Sequence, residues 1–167
     1  SDRMRNTVLR EFYKEKRVVL EERRLRTDNS PSGRMFEAFA STAFWAHPYR
    51  NPVIGWPTDI ANLTVTETKA FFKKHYGPNN AVLSIVGDIH PPDVIALIEK
   101  TFGPIPSQSP PPPVVTEELP QNGERRVNVG YDAEPFVMMG FHKPGVGHPD
   151  DDVFDVIDSI LSSGRTS

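Results

Sequence analysis

The 167-residue sequence has no cysteine, no long apolar run and no marked excess of one charge. The absence of cysteine excludes disulfides, thiolate-bound zinc, iron–sulfur clusters and a cysteine nucleophile. No apolar stretch approaches the roughly 20 residues that span a bilayer, so we expect no transmembrane segment. A net charge of −3 argues against a nucleic-acid partner. No phosphate-binding loop and no serine nucleophile elbow is present either.

Proline, in contrast, is abundant and unevenly placed. Seven of the 17 prolines fall between residues 104 and 120, four of them consecutively at 110–113. Such a run favours the extended polyproline II conformation and cannot continue a helix or a central strand. We therefore interpret residues 104–122 as a semi-rigid connector between a piece at 1–103 and a second piece at 123–167. A ligand for a proline-binding module is the alternative interpretation.

The piece before the connector reads mostly as helix. Hydrophobic periodicity predicts helices over residues 4–27, 32–45, 65–76 and 93–102. Thr64 and Glu67 form a capping-box pattern at the start of the third. Residues 81–87 are almost continuously apolar, which predicts a short buried strand.

The piece after the connector mixes both kinds of element. Strands are predicted over 125–131 and 136–142, and a helix opens near 148–152 and is closed by Ser163 and Gly164. Helices and strands without strict alternation predict an α+β fold built in layers. This piece has only about 45 residues, too few to fold well alone, so we expect the chain to stop inside a domain.

One predicted helix carries carboxylates along its apolar side. At about 100° per residue, Glu11, Glu15 and Glu22 fall on one side of the first helix. Their neighbours on that side are Met4, Val8, Val18 and Val19. Burying a carboxylate is costly unless it is paired, hydrogen-bonded or metal-bound, so this row could serve a bound cation. A solvated acidic edge and an arginine-paired structural site are the alternatives. None of the five histidines has the spacing of a helical zinc motif.

Several short motifs follow one another in a recognisable order. They lie at residues 15–22, 47–49 with 52–55, 59–64, 71–76, 78–80, 86–88, 148–150 and 160–167. Each is weak alone, but their order and spacing resemble the pitrilysin/insulinase-type metallopeptidases, the M16 family that includes mitochondrial processing peptidases. The resemblance covers nearly the whole chain. It implies a fold like that of LuxS and the processing peptidases, with helices layered on a mainly antiparallel sheet.

The resemblance also implies a zinc site. In that family an H-x-x-E-H motif supplies two histidine ligands and a glutamate base, and a later helix supplies a third, glutamate ligand. The zinc-ligand glutamate matches Glu22 here. Glu15 matches a glutamate that supports the metal site through the ligands, without binding the metal itself. Glu11 matches no family role. The chain contains no H-x-x-E-H, and no histidine precedes His47. The resemblance therefore implies an internal piece, truncated at both ends, which is inactive and metal-free by itself.

The implied function is that of a zinc-dependent endopeptidase acting on peptides or unfolded segments. The alternative within the family is a non-catalytic, structural or substrate-positioning member. Expected partners are the peptide substrate, the segment that precedes this chain, and a second half or paralogous subunit that closes a chamber. The resemblance slightly favours the periplasm or cell envelope, although no residue here indicates export. Without the resemblance, the chain reads as an α+β binding module with a proline-rich docking segment.

Overall fold

The computed structural model describes residues 2–162, and for Arg3 and Arg5 only the backbone. Its regular secondary structure is helical. Within that range the α-helices are Asp2–Arg5 (α1), Phe12–Arg23 (α2), Pro31–Ala43 (α3), Pro57–Asn62 (α4), Val65–His75 (α5), Pro91–Phe102 (α6) and Asp151–Ser162 (α7). A π-helix, Arg24–Asp28, follows α2 directly, and single 3-10 turns cover Pro48–Arg50 and Pro78–Asn80.

The predicted α+β fold with a mainly antiparallel sheet is wrong for this structure, because residues 2–162 contain no β-strand. The three segments expected to be strands, 81–87, 125–131 and 136–142, have no regular structure. Val82 and Val86 are 99% and 93% exposed, although their segment was expected to be buried. A strand exists only where a neighbour satisfies its backbone N–H and C=O groups. No segment of the described chain forms a backbone ladder with any of these three.

The long helix predicted over 4–27 is interrupted between α1 and α2. Residues 6–11 are not helical, and Glu11 has a left-handed backbone with φ of 53°. This conformation is uncommon for a residue other than glycine. At its other end α2 passes into the π-helix, whose wider turns continue to Asp28. The helical periodicity was therefore correct over the stretch that holds Glu15 and Glu22, but not across the whole range.

The other helix starts follow local chemistry. The predicted capping box is confirmed: Glu67 N donates to Thr64 Oγ1 at 3.2 Å, and Thr64 N donates to Glu67 Oε2 at 2.9 Å. Hydrogen bonds from Thr64 lower the pKa of Glu67. Ser30 caps α3, since its side chain accepts a hydrogen bond from Gly33 N at 3.2 Å. Proline stands at the start of α3, α4 and α6, where its fixed φ and missing N–H suit the first turn.

Two compact units make up the chain, Ser1–Ala133 and Glu134–Ser167. In the first, α2 packs against α4 and the π-helix packs against α3. Among the described residues, only Ile60 and Ile105 are buried apolar side chains. The division into 1–103, 104–122 and 123–167 stays a prediction.

In the second unit, Lys143 Nζ lies 2.6 Å from Asp151 Oδ1 at the start of α7. The expected end of this helix at Ser163 and Gly164 lies outside the described residues. No helix in the described part of the chain is long and apolar enough to cross a membrane.

Candidate functional site

The two acids singled out by the family resemblance both lie on α2. They are seven residues, or two turns, apart, so their side chains leave the helix on the same side. Glu15 is exposed to solvent. Glu22 is half-buried, and its Oε1 lies 3.0 Å from Arg26 Nη1. The row is therefore solvated here, and the role of Glu22 as a metal ligand stays a prediction.

Glu11, the third acid of the row, does not lie within α2 as Glu15 and Glu22 do, because its backbone conformation is not helical. It is the N-cap residue of α2 and lies outside the helical turns. Its carboxylate pairs with Lys14 Nζ at 3.0 Å, and both side chains are exposed. An exposed pair three residues apart contributes little to stability. Glu11 therefore lies at the start of α2 and does not belong to the same row as Glu15 and Glu22.

The described residues do not by themselves fit a zinc ion. A catalytic zinc needs about three protein ligands. No group of three His, Cys, Asp or Glu residues within 2–162 is arranged to hold a metal. Glu22 offers one carboxylate, and its only ion-pair partner within that range, Arg26, is itself exposed. Because an exposed pair four residues apart on a helix is worth only about 0.3–0.5 kcal/mol, Glu22 is easily released to another cation.

Directly beside Glu22, Arg23 is the one buried charged residue among those described. Its Nη1 donates to the carbonyl oxygen of Gly55 at 2.9 Å, and its Nη2 donates to Glu37 Oε1 at 3.1 Å. Nη1 also lies 2.7 Å from Glu37 Oε2, and Nη2 lies 3.4 Å from Asp28 Oδ1. The hydrogen bond to Glu37 is the main cause that raises the pKa of Arg23.

This Arg23 cluster (Arg23, Asp28, Glu37 and the Gly55 carbonyl) fixes the C-terminal end of α2. It joins α2 to the π-helix, to α3 and to the loop before α4. The orientation of the last turn of α2, which carries Glu22, therefore depends on a buried ion pair. The sequence analysis did not predict this cluster, because Glu37 lies 14 residues from Arg23 and no fixed helical spacing relates the two. An arginine-paired site was one of the alternatives for the acidic row, and that alternative did not involve Glu37.

Known proteins resemble this chain over almost its whole length. Residues 62–167 match the family model described as the peptidase M16 inactive domain. Zinc protease PqqE of Helicobacter pylori is 35% identical over 161 residues, which is 94% of this chain and 36% of that protein. An uncharacterized zinc protease of Mycobacterium leprae is 30% identical over 158 residues, or 92% and 35% of the two chains.

A solved structure supports the same relationship. The crystal structure of a protease from Helicobacter pylori matches 97% of this chain and 40% of its own with a TM-score of 0.81 and 34% identity. This chain thus spans between a third and two fifths of the length of these relatives. Glu15 and Glu22 lie before the residues that the family model matches. Because that model covers well over half of the sequence, the chain belongs to the M16 peptidase family.

Proposed function

We propose that this chain is part of a zinc-dependent endopeptidase and that Glu22 is its contribution to the zinc site. The observation that carries the proposal is the placement of Glu15 and Glu22 on one side of an uninterrupted helix. The Glu22 carboxylate remains partly accessible and is held within the described chain only by an exposed arginine. Relatives named zinc proteases support the same assignment.

The remaining ligands and the general base belong, in this proposal, to an H-x-x-E-H motif outside these 167 residues. The substrates proposed are peptides or unfolded segments, enclosed with the help of a second half or a paralogous subunit. Glu15 would support the site without touching the metal. Its exposure leaves its carboxylate free to accept a hydrogen bond from a neighbouring ligand.

A non-catalytic, substrate-positioning family member is the second candidate. The family model that matches residues 62–167 is described as the peptidase M16 inactive domain, and this description favours the second candidate. In this case Glu22 would remain an ordinary surface acid paired with Arg26.

Glu22→Gln and Glu21→Gln, made in the full-length protein, distinguish the two candidates. Both variants remove one carboxylate from α2 that pairs with an arginine, since Glu21 Oε2 lies 2.9 Å from Arg24 Nη2. We expect Glu22→Gln to lower zinc affinity and cleavage of an unstructured peptide by more than about 100-fold, and Glu21→Gln to change neither. Glu15→Gln should lower zinc affinity by about 10- to 100-fold.

Each outcome selects one conclusion. Cleavage that survives Glu22→Gln with zinc still bound would show that the ligand assignment is wrong. If the unmutated protein neither binds zinc in equilibrium dialysis nor cleaves the peptide, the non-catalytic candidate holds.

A further inference from the structure

The turn that follows α3 directs three consecutive backbone N–H groups at one carboxylate. Glu118 Oε1 accepts a hydrogen bond from Trp45 N at 2.8 Å. Glu118 Oε2 accepts from Ala46 N at 2.8 Å and from His47 N at 2.9 Å. Successive N–H groups that converge in this way form an anion-binding nest. These bonds, with the one from His47 the largest cause, lower the pKa of Glu118 to about 2.

Arg125 completes the site. Its Nη1 lies 3.3 Å from Glu118 Oε1 and donates to the Ala43 carbonyl oxygen, the last of α3, at 2.6 Å. Its guanidinium stacks over the Trp45 ring, 4.0 Å from the centroid. The side chains of Arg125 and Glu118 are only 10% and 13% exposed. A carboxylate at this depth requires a positive partner, which Arg125 supplies.

Within the first unit, hydrogen bonds hold the connector to earlier residues on both sides of its proline run. Gln108 and Asn79 exchange two hydrogen bonds, since Asn79 Nδ2 donates to Gln108 O at 2.7 Å and Gln108 N donates to Asn79 Oδ1 at 2.9 Å. Glu118 is the second attachment, while residues 112–117 between them are exposed. The proline run therefore lies between two attachments, and only the second depends on charge.

We propose that the N–H groups of Trp45, Ala46 and His47, together with Arg125, form a carboxylate-binding site that the connector fills with its own Glu118. All the donors come from residues other than Glu118, so the same groups accept another carboxylate when Glu118 is absent. Glu118, as the occupant, holds the connector against the turn at residues 45–47. This inference does not depend on the proposed peptidase activity.

The test uses Glu118→Ala with acetate as the probe, and Glu117→Ala as the matched control. Glu117 is the adjacent acid of the connector and is exposed. In Glu118→Ala, we expect hydrogen exchange of the amides at 45–47 to accelerate by about tenfold or more, because bonds to a charged acceptor are lost. Sodium acetate should restore the protection saturably and change the Trp45 fluorescence, whereas sodium chloride at equal ionic strength should not. Glu117→Ala should behave like the unmutated protein.

Two results would overturn the proposal: equal exchange at 45–47 in the two alanine variants, or equal effects of acetate and chloride on Glu118→Ala. Adding Arg125→Met to Glu118→Ala should abolish the acetate effect. If Glu118→Ala does not fold, Glu118→Gln keeps the shape and removes the charge. In Glu118→Gln, hydrogen exchange of the amides at 45–47 should be faster than in the unmutated protein. Equal exchange rates in the two proteins would contradict the proposal.

Discussion

Replacing Arg23 with methionine isolates the buried ion pair that fixes the end of α2. The change keeps a long apolar side chain and removes a guanidinium that is 2% exposed. Glu37, whose side chain is 12% exposed, loses its hydrogen bond at 3.1 Å and its ion contact at 2.7 Å. The nearest remaining cation, Arg34 Nη1, lies 3.9 Å from Glu37 Oε1. The Gly55 carbonyl loses the donor that Arg23 provides.

The structure sets the size of the effect. Removing one partner of a buried ion pair costs about 3–5 kcal/mol, because the other charge stays behind uncompensated. Arg34 and partial access to water relieve some of that cost, so we expect the free energy of unfolding to fall by about 3–4 kcal/mol. For a chain of this length, that loss corresponds to a Tm lower by roughly 6–16 °C.

The assay is urea unfolding of Arg23→Met, Glu37→Leu and the double variant. The double variant leaves no unpaired charge from this pair, so it should be less destabilised than the sum of the two single variants. Arg24→Met is the control, because Arg24 is exposed and pairs with exposed Glu21; it should cost less than about 0.5 kcal/mol. Additive single effects, or a loss below about 1 kcal/mol in Arg23→Met, would refute the reasoning.

Three further predictions concern single contacts. Thr64→Ala removes the N-cap of α5 and should lower the free energy of urea unfolding by about 1 kcal/mol; an equal effect of Thr66→Ala, inside the helix, would contradict the capping role. Because the pKa of Glu118 is lowered from 4.5 to about 2, its carboxylate stabilises the folded protein fully above pH 4.5. This stabilisation is lost as the pH falls towards 2. The stability difference between the unmutated protein and Glu118→Gln should therefore shrink only over that acid range, and a difference unchanged at pH 2 would oppose this assignment. Gly33→Ala should lower the Tm although alanine favours helices, because the added Cβ would overlap the carbonyl oxygen of Arg26; a higher Tm would show that the backbone yields.

Features that depend on neighbouring residues were predictable from the sequence. The capping box at Thr64 and Glu67 uses groups three residues apart, and α5 and α6 begin and end within two residues of expectation. Likewise the helical period placed Glu15 and Glu22 on one side of α2. In each case the residues involved are related by a fixed spacing along a single helix.

Features that depend on distant residues were not predictable. The apolar run at 81–87 indicates a segment suited to burial. It does not specify which other segment would form backbone hydrogen bonds with it. The Arg23–Glu37 pair spans 14 residues across a π-helix, and Glu118 contacts Trp45 across 73 residues. Which of the alternatives holds for the acidic row depends on distant residues in the same way, since burial of the row requires another element to cover it.

The family was predicted from the order of many short motifs, and the match of residues 62–167 to the M16 model confirms it. That order is informative because each weak motif constrains the position of the next. The particular role of Glu22 rests on one position, which neither the family match nor the exposed surface of α2 tests.

The zinc stoichiometry of the full-length protein, measured by mass spectrometry after exhaustive dialysis, tests the central claim most directly. The account predicts about one zinc per chain in the unmutated protein and in Glu21→Gln, and a small fraction of that in Glu22→Gln. Equal zinc in Glu22→Gln and the unmutated protein would contradict it.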